Sequence, residues 1–271
     1  MILLPDEEIK NEKVEIHKLV KQDNKPNPKE ILKPTKGDAA HSGIKAALSS
    51  IPFVGGSISE LFSLGIQSPL EKRKDDFIIS LDERVSELED RGVLSSEYVI
   101  VDDEFIDVAA HALPIAIRNS SPEKLNALRN AVINTALKID INRDSKFMYL
   151  NFINELTEIQ IKIIKILYEP RSYIEKLFEI NKNNIPQGYT YVDVLKDLRK
   201  ILDVDKILYD VSINRLETDG LIDLSDKEPG MPIGSYDEHS IWLGKDELEQ
   251  RTKNLVTDFG QIFVKFISDK K

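Results

Sequence analysis

Apolar residues recur at the spacing of an α-helix along most of the chain after residue 70. Between residues 71 and 91 they form one stripe on an otherwise charged segment, at positions i, i+1, i+4, i+8 and i+11. The stripe consists of Phe77, Ile78, Leu81, Val85 and Leu88. Gly92 follows where a glycine commonly ends a helix. The pattern predicts an amphipathic helix over residues 71–91.

Helical spacing continues through the middle of the chain. A helix is predicted over Asp102–Ile117, and Pro114 should kink or end it. Ser121-Pro122-Glu123 is a strong helix start, with Ser as the N-cap, Pro at the first helical position and an acid in the first turn. A long helical pattern then runs over Phe147–Leu167, and a cap at Thr157 could divide it into two helices.

The last third of the chain reads as three helices, a β-hairpin and a closing helix. The apolar strands of the hairpin are separated by a long turn that is rich in Pro and Gly. In chain order these elements span Ser172–Ile180, Val192–Leu202, Asp205–Glu217, Leu221–Leu224, His239–Leu243 and Leu248–Ile267.

This order of elements resembles that of winged-helix modules. The resemblance is strongest in Leu208–Ile222, where an apolar-striped helix leads through Gly220 into an apolar strand. It implies a mainly α fold, with a helical N-terminal region and a C-terminal winged-helix-like module that has one β-hairpin. The predicted organisation is a mobile charged arm over residues 1–38, a helical region over 39–144 and a winged-helix-like domain over 145–271.

DNA-binding winged helices place basic residues of their third helix against phosphates. The predicted third helix, Asp205–Glu217, carries three acidic residues and two basic ones. This charge balance favours protein docking. DNA reading through Lys196, Arg199 and Lys200 on the preceding helix stays open as an alternative.

Residues 46–70 differ from their surroundings because Glu60 is their one charged residue. Pro and a Gly-Gly pair suggest two short helices that meet at a bend. Three interpretations are open: a buried helical hairpin, a docking or oligomer surface, and a membrane-inserting hairpin. The candidate interaction residues are Ile51, Pro52, Phe53, Val54, Gly55, Gly56, Leu61 and Phe62.

A second candidate interaction stripe lies near the end of the chain. Phe259, Phe263 and Phe266 fall on one helical face, which is typical of a core or of a dimer contact. The motif Thr-Asp-Phe-Gly at residues 257–260, followed by Phe263 and Phe266, is similar to a motif in other proteins. It resembles the C-terminal helix of uncharacterised bacterial helical proteins, including those named abortive-infection alpha proteins. That resemblance implies a role in bacterial defence against phage and no particular mechanism.

Known catalytic spacings are missing from the sequence. It contains no P-loop, dinucleotide-binding glycine motif or nucleophile elbow, and its four histidines are widely separated. His111 is interpreted as a packed or surface histidine. Asp140–Asp144 resembles half of a calcium loop but lacks the glycine and the bidentate Glu that such a loop needs, so it is interpreted as an interhelical loop. We therefore predict no catalytic, cofactor-binding or metal-binding residues.

Composition narrows the functional classes. The 271 residues carry a net charge of −10 and no cysteine, which argues against a general nucleic-acid coat and excludes disulfides and thiolate chemistry. The first residues lack the basic region of a secretory signal. We expect a non-enzymatic, cytoplasmic, bacterial protein-interaction protein (an adaptor or regulator), with a protein partner or a second copy of itself. The alternatives are a winged-helix DNA-binding regulator and a membrane-active effector that uses residues 46–70.

Overall fold

A computed structural model describes residues 69–95, 98–99, 102–182, 185–186, 188–224 and 244–269. These residues are mainly helical, as predicted, and contain ten α-helices. In chain order the helices are α1 Pro69–Asp90, α2 Asp103–Arg118, α3 Pro122–Ala136, α4 Arg143–Glu155, α5 Glu158–Tyr168, α6 Arg171–Ile180, α7 Tyr191–Leu202, α8 Lys206–Thr218, α9 Lys245–Lys253 and α10 Asp258–Ile267.

Helix α3 lies at the centre of the packing, because α1, α2, α4, α5 and α10 all contact it. Its faces carry small and medium apolar residues, among them Ala127, Leu128, Ala131 and Val132, which are fully buried and let neighbouring helices approach closely. Helix α5 continues the packing toward α8 and α9, and α9 in turn contacts α6 and α7. One apolar core therefore runs through helices from both halves of the chain.

Local start and stop signals place several helix ends as predicted. Gly92 has a φ of +69° after α1, in the left-handed region that glycine adopts without a steric penalty. The Ser121 side chain accepts a hydrogen bond from the N–H of Lys124 at the start of α3. Thr157 and Gln160 form a reciprocal capping box that separates α4 from α5. Pro114 does not end α2, which continues to Arg118.

The predicted β-hairpin is not seen in the described residues. Ile222 makes an isolated antiparallel bridge with Val256, and the N–H of Asp223 donates to the carbonyl of Leu255 at 2.9 Å. The first predicted strand, Leu221–Leu224, thus pairs with the segment before α10. The predicted return strand, 239–243, lies outside the described residues.

The same pairing corrects the closing helix, which was predicted as one element over 248–267. Residues 254–257 leave the helical path between α9 and α10. The N–H of Thr257 donates to the carbonyl of Leu221 at 3.2 Å, and the Thr257 side chain begins α10 by accepting from the N–H of Gly260. A backbone partner from a distant segment therefore replaces a turn of helix here.

The Asp102 side chain caps the start of α2 and also forms an ion pair. Its carboxylate accepts hydrogen bonds from the N–H groups of Glu104 and Phe105 and pairs with Lys138. Burial raises the pKa of Asp102. The hydrogen bond from Lys138, the two backbone N–H groups and the charge of Lys138 together lower it by more than burial raises it, so the net pKa lies below the ordinary 3.8. A lowered folded-state pKa contributes stability above the unfolded-state value, and this stability is lost as the pH falls through the folded-state value.

We expect Asp102→Asn, which keeps a capping oxygen but removes the charge, to lower the free energy of unfolding by about 1 kcal/mol at pH 7. The deficit should be smaller at pH 2, below the ordinary pKa of 3.8, because the charge-dependent stability is lost as the pH falls through the folded-state value. Urea unfolding at both pH values measures it, with Asp75→Asn on the exposed face of α1 as the control. An equal deficit at pH 7 and pH 2 would show that the charge contributes nothing.

Candidate functional site

The interaction residues that the sequence suggested fall into two groups. Ile51, Pro52, Phe53, Val54, Gly55, Gly56, Leu61 and Phe62 lie outside the described residues. The phenylalanine stripe lies on α10, where Phe263 and Phe266 are fully buried and Phe259 is partly buried against the core. All three rings surround Tyr149 of α4, with ring centroids 5.2–5.8 Å away. Of the two interpretations of the stripe, core or dimer contact, this packing corresponds to the core.

The Thr-Asp-Phe-Gly phrase also has a structural explanation. The Thr257 hydroxyl donates to the carbonyl of Gly220 at 2.6 Å while it caps α10. Gly260 lies directly against the backbone of Leu221, where a Cβ atom would be 2.1 Å from the Leu221 carbonyl oxygen. Thr257 and Gly260 thus let the backbone of residues 220–221 pack directly against the start of α10.

Helix α8 exposes an apolar stripe that no described residue covers. Ile207, Leu208 and Val211 are 75%, 49% and 58% exposed. They occupy positions i, i+1 and i+4, so they lie on adjoining parts of one helix face. The opposite face buries Tyr209, Ile213 and Leu216 together with the small Ser212, and so α8 is apolar on both sides. We call Ile207, Leu208 and Val211 the α8 stripe.

A groove of about 580 Å³ separates α7 from α8. Its α7 wall includes Val192, Leu195, Lys196 and Arg199, and its α8 wall includes Tyr209 and Ile213. Val192 is itself 42% exposed. Because residues advance by about 100° on an α-helix, the groove-lining positions 210 and 214 border positions 207 and 211. The groove and the α8 stripe therefore form one continuous surface.

The basic residues of this surface differ in their pairing. Three have carboxylate partners: Lys200 pairs with Asp197, Lys206 with Asp210, and Arg215 with Asp219 and Glu155. Lys196 is exposed and has no acidic partner among the described residues. Arg199 donates to the carbonyl of Val204 at 3.2 Å and likewise lacks a carboxylate partner in this part of the chain.

Two tyrosine hydroxyls form hydrogen bonds with residues of α7, which is one wall of the groove. Tyr173 donates to the carbonyl of Val194 at 2.7 Å and Tyr189 donates to a carboxylate oxygen of Asp197 at 2.6 Å, so both hydroxyls hold α7. Burial raises the pKa of Tyr173, and burial together with the Asp197 hydrogen bond raises that of Tyr189. Both therefore stay protonated and act as donors.

Tyr209 differs from these two tyrosines. It is 3% exposed, and its hydroxyl makes no hydrogen bond within the described residues. Burial raises its pKa, and the nearby charge of Arg199 lowers the pKa by a smaller amount. The hydroxyl is thus a buried, protonated donor that lacks an acceptor among the described residues.

Two further findings on the described residues concern metal binding and membrane crossing. They contain no group of three or more His, Asp or Glu residues that could hold a metal ion. His111 is exposed on α2, with its ring edge-on to Phe147 at 5.1 Å. Among the helices that are described, none is both long enough and apolar enough to cross a bilayer.

Helical periodicity alone does not identify the α8 stripe as a site, because its residues fit an ordinary amphipathic helix. The available signal was the presence of Ile207, Leu208 and Val211 beside a second apolar face on the same short helix. Comparison of the chain with protein-family models, with curated proteins and with solved structures finds no match.

Proposed function

We propose that the protein is a non-enzymatic interaction protein, an adaptor or regulator, that docks a protein partner on the surface formed by the α8 stripe and the α7–α8 groove. The observation that carries the proposal is the exposure of three large apolar residues on one face of α8. Burial of a Val, Leu or Ile side chain is worth about 1.5–3 kcal/mol. Contiguous exposed apolar residues with a polar rim are typical of protein interaction sites.

The alternative of DNA reading by α8 fits this surface less well. A reading helix meets phosphates and base edges with polar and basic side chains. The exposed face of α8 is instead apolar, and its two basic residues, Lys206 and Arg215, already pair with carboxylates. The membrane alternative depends on residues 46–70, of which 46–68 are outside the described residues. A role in defence against phage is supported only by the resemblance of residues 257–266 to abortive-infection alpha proteins.

The double variant Ile207→Ser/Val211→Ser tests the proposal. Both side chains are exposed, so we expect the free energy of unfolding to change by less than about 0.5 kcal/mol. Proteins that co-purify with the wild-type chain should be lost from the variant, because truncation of central apolar contacts costs about 2 kcal/mol or more in binding. Affinity purification with quantitative mass spectrometry measures the loss.

The matched control is Ile79→Ser, a half-exposed apolar residue on α1. Helix α1 packs on α2 and α3, away from the contacts of α8. The control should keep every partner of the wild-type chain. Partners that are retained by the double variant, or lost equally from the control, would contradict the proposal.

A further inference from the structure

The charge of the α7–α8 groove contrasts with that of the chain. The protein as a whole carries a net charge of −10, and the other basic residues of α7 and α8 pair with nearby carboxylates. Lys196 and Arg199 lie one helical turn apart on the same wall of the groove, and neither has a carboxylate partner within the described residues. The groove is therefore a locally positive site in an acidic protein.

A negatively charged oxygen that entered the groove would meet both cations. Hydrogen bonds between charged partners of this kind are shorter and stronger than those between neutral groups.

The apolar neighbours restrict the source of that oxygen. A free anion would leave the exposed Ile207, Val211 and Val192 side chains in water, and a nucleic-acid backbone would place phosphates against them. A peptide segment that carries both apolar and acidic side chains covers the stripe and supplies the oxygen at the same time.

We infer, on the basis of the proposed function, that the segment docked here belongs to a different protein and is acidic and amphipathic. Its apolar side chains pack on Ile207, Leu208 and Val211. An Asp or Glu carboxylate of the same segment enters the groove, where it pairs with Lys196 and Arg199.

Selection of a displayed library of random 16-residue peptides on the full-length chain tests the inference. We expect enriched peptides to combine Leu, Ile or Phe with Asp or Glu. Their affinity, measured by fluorescence anisotropy, should fall at least tenfold for Lys196→Gln/Arg199→Gln and by about threefold for Lys196→Gln alone, which leaves the bond from Arg199 to Val204 intact. Lys265→Gln, an exposed lysine on α10, is the control and should bind like the wild type.

Failure of this inference can be separated from failure of the proposed function. Peptides that lose binding in Ile207→Ser/Val211→Ser but lack acidic residues, or bind Lys196→Gln/Arg199→Gln normally, would overturn the acidic segment and leave the docking surface standing. Peptides insensitive to both double variants would overturn both. A homodimer in light scattering that Ile207→Ser/Val211→Ser dissociates, or a labelled DNA duplex released by Lys196→Gln/Arg199→Gln, would replace the proposed partner.

Discussion

Replacement of Gly260 by Ala is expected to lower the free energy of unfolding by about 3–5 kcal/mol, because a buried side chain would collide with backbone. The added Cβ would lie 2.1 Å from the carbonyl oxygen and 2.9 Å from the carbonyl carbon of Leu221. The Leu221 segment cannot simply retreat, since its carbonyl also accepts the N–H of Thr257 and Ile222 pairs with Val256. The clash therefore separates two segments that belong to the core.

Urea or thermal unfolding of the purified variant measures the loss. Gly188→Ala is the matched control, because a Cβ atom at Gly188 would meet nothing within 4 Å. The control should unfold within about 0.5 kcal/mol of the wild type. A Gly260→Ala protein as stable as the control would mean that the Leu221 backbone does not lie against α10.

Asn134→Asp is expected to be about as damaging at neutral pH, at roughly 3–5 kcal/mol. Asn134 is 2% exposed on α3, and its amide nitrogen lies 2.8 Å from the carbonyl oxygen of Phe266, 2.9 Å from that of Ser268 and 3.2 Å from that of Lys265. The two N–H donors of the side chain are shared among these three carbonyl oxygens at the end of α10, where helix carbonyls lack intrahelical donors. A carboxylate in the same place would face carbonyl oxygens and could donate nothing.

The effect of Asn134→Asp should depend on pH in a defined direction. Burial among carbonyl oxygens raises the folded-state pKa of the introduced carboxyl above the unfolded value of about 3.9. The protonated form keeps one donor, so the deficit should be smallest near pH 3 and grow as the pH rises toward 7. Denaturant unfolding at pH 3, 5 and 7 measures this. Asn126→Asp, exposed on the same helix, is the control, and a deficit of equal size at all three pH values would contradict the donor role.

The sequence predicted those helix ends that depend on nearby residues. Ser121 and Thr157 cap α3 and α5 through side-chain contacts within three residues, and Gly92 ends α1 through its own backbone freedom. Such signals are contained in a few consecutive residues, so reading them requires no knowledge of the tertiary structure.

Other features depend on contacts between distant segments. Residues 221–224 have the apolar character of a strand, but their described partner is residues 255–257, more than thirty positions away. The same contact breaks the predicted closing helix at Val256, and no local residue pattern announces it. The role of Asn134 could not be predicted from local sequence for the same reason. The three carbonyl oxygens that its side chain contacts lie about 130 residues later in the chain.

The candidate site was only partly predictable. The charge balance of the third helix favours protein docking, and the three basic residues of α7 leave DNA reading open as an alternative. Packing separates those three residues, because Lys200 pairs with Asp197 while Lys196 and Arg199 face the groove. Periodicity cannot tell which of the two apolar faces of α8 is buried, since this depends on the helices that pack against it.

Docking of a partner on the α8 stripe can be tested by site-specific photo-crosslinking. A photoreactive amino acid is introduced at Val211 in one full-length variant and at Ile79 in another, and each is irradiated in an extract of the native cells. We expect a discrete adduct with another protein from position 211, absent from position 79 and abolished by Ile207→Ser. The same adducts from both positions, or none from position 211, would contradict docking on the α8 stripe.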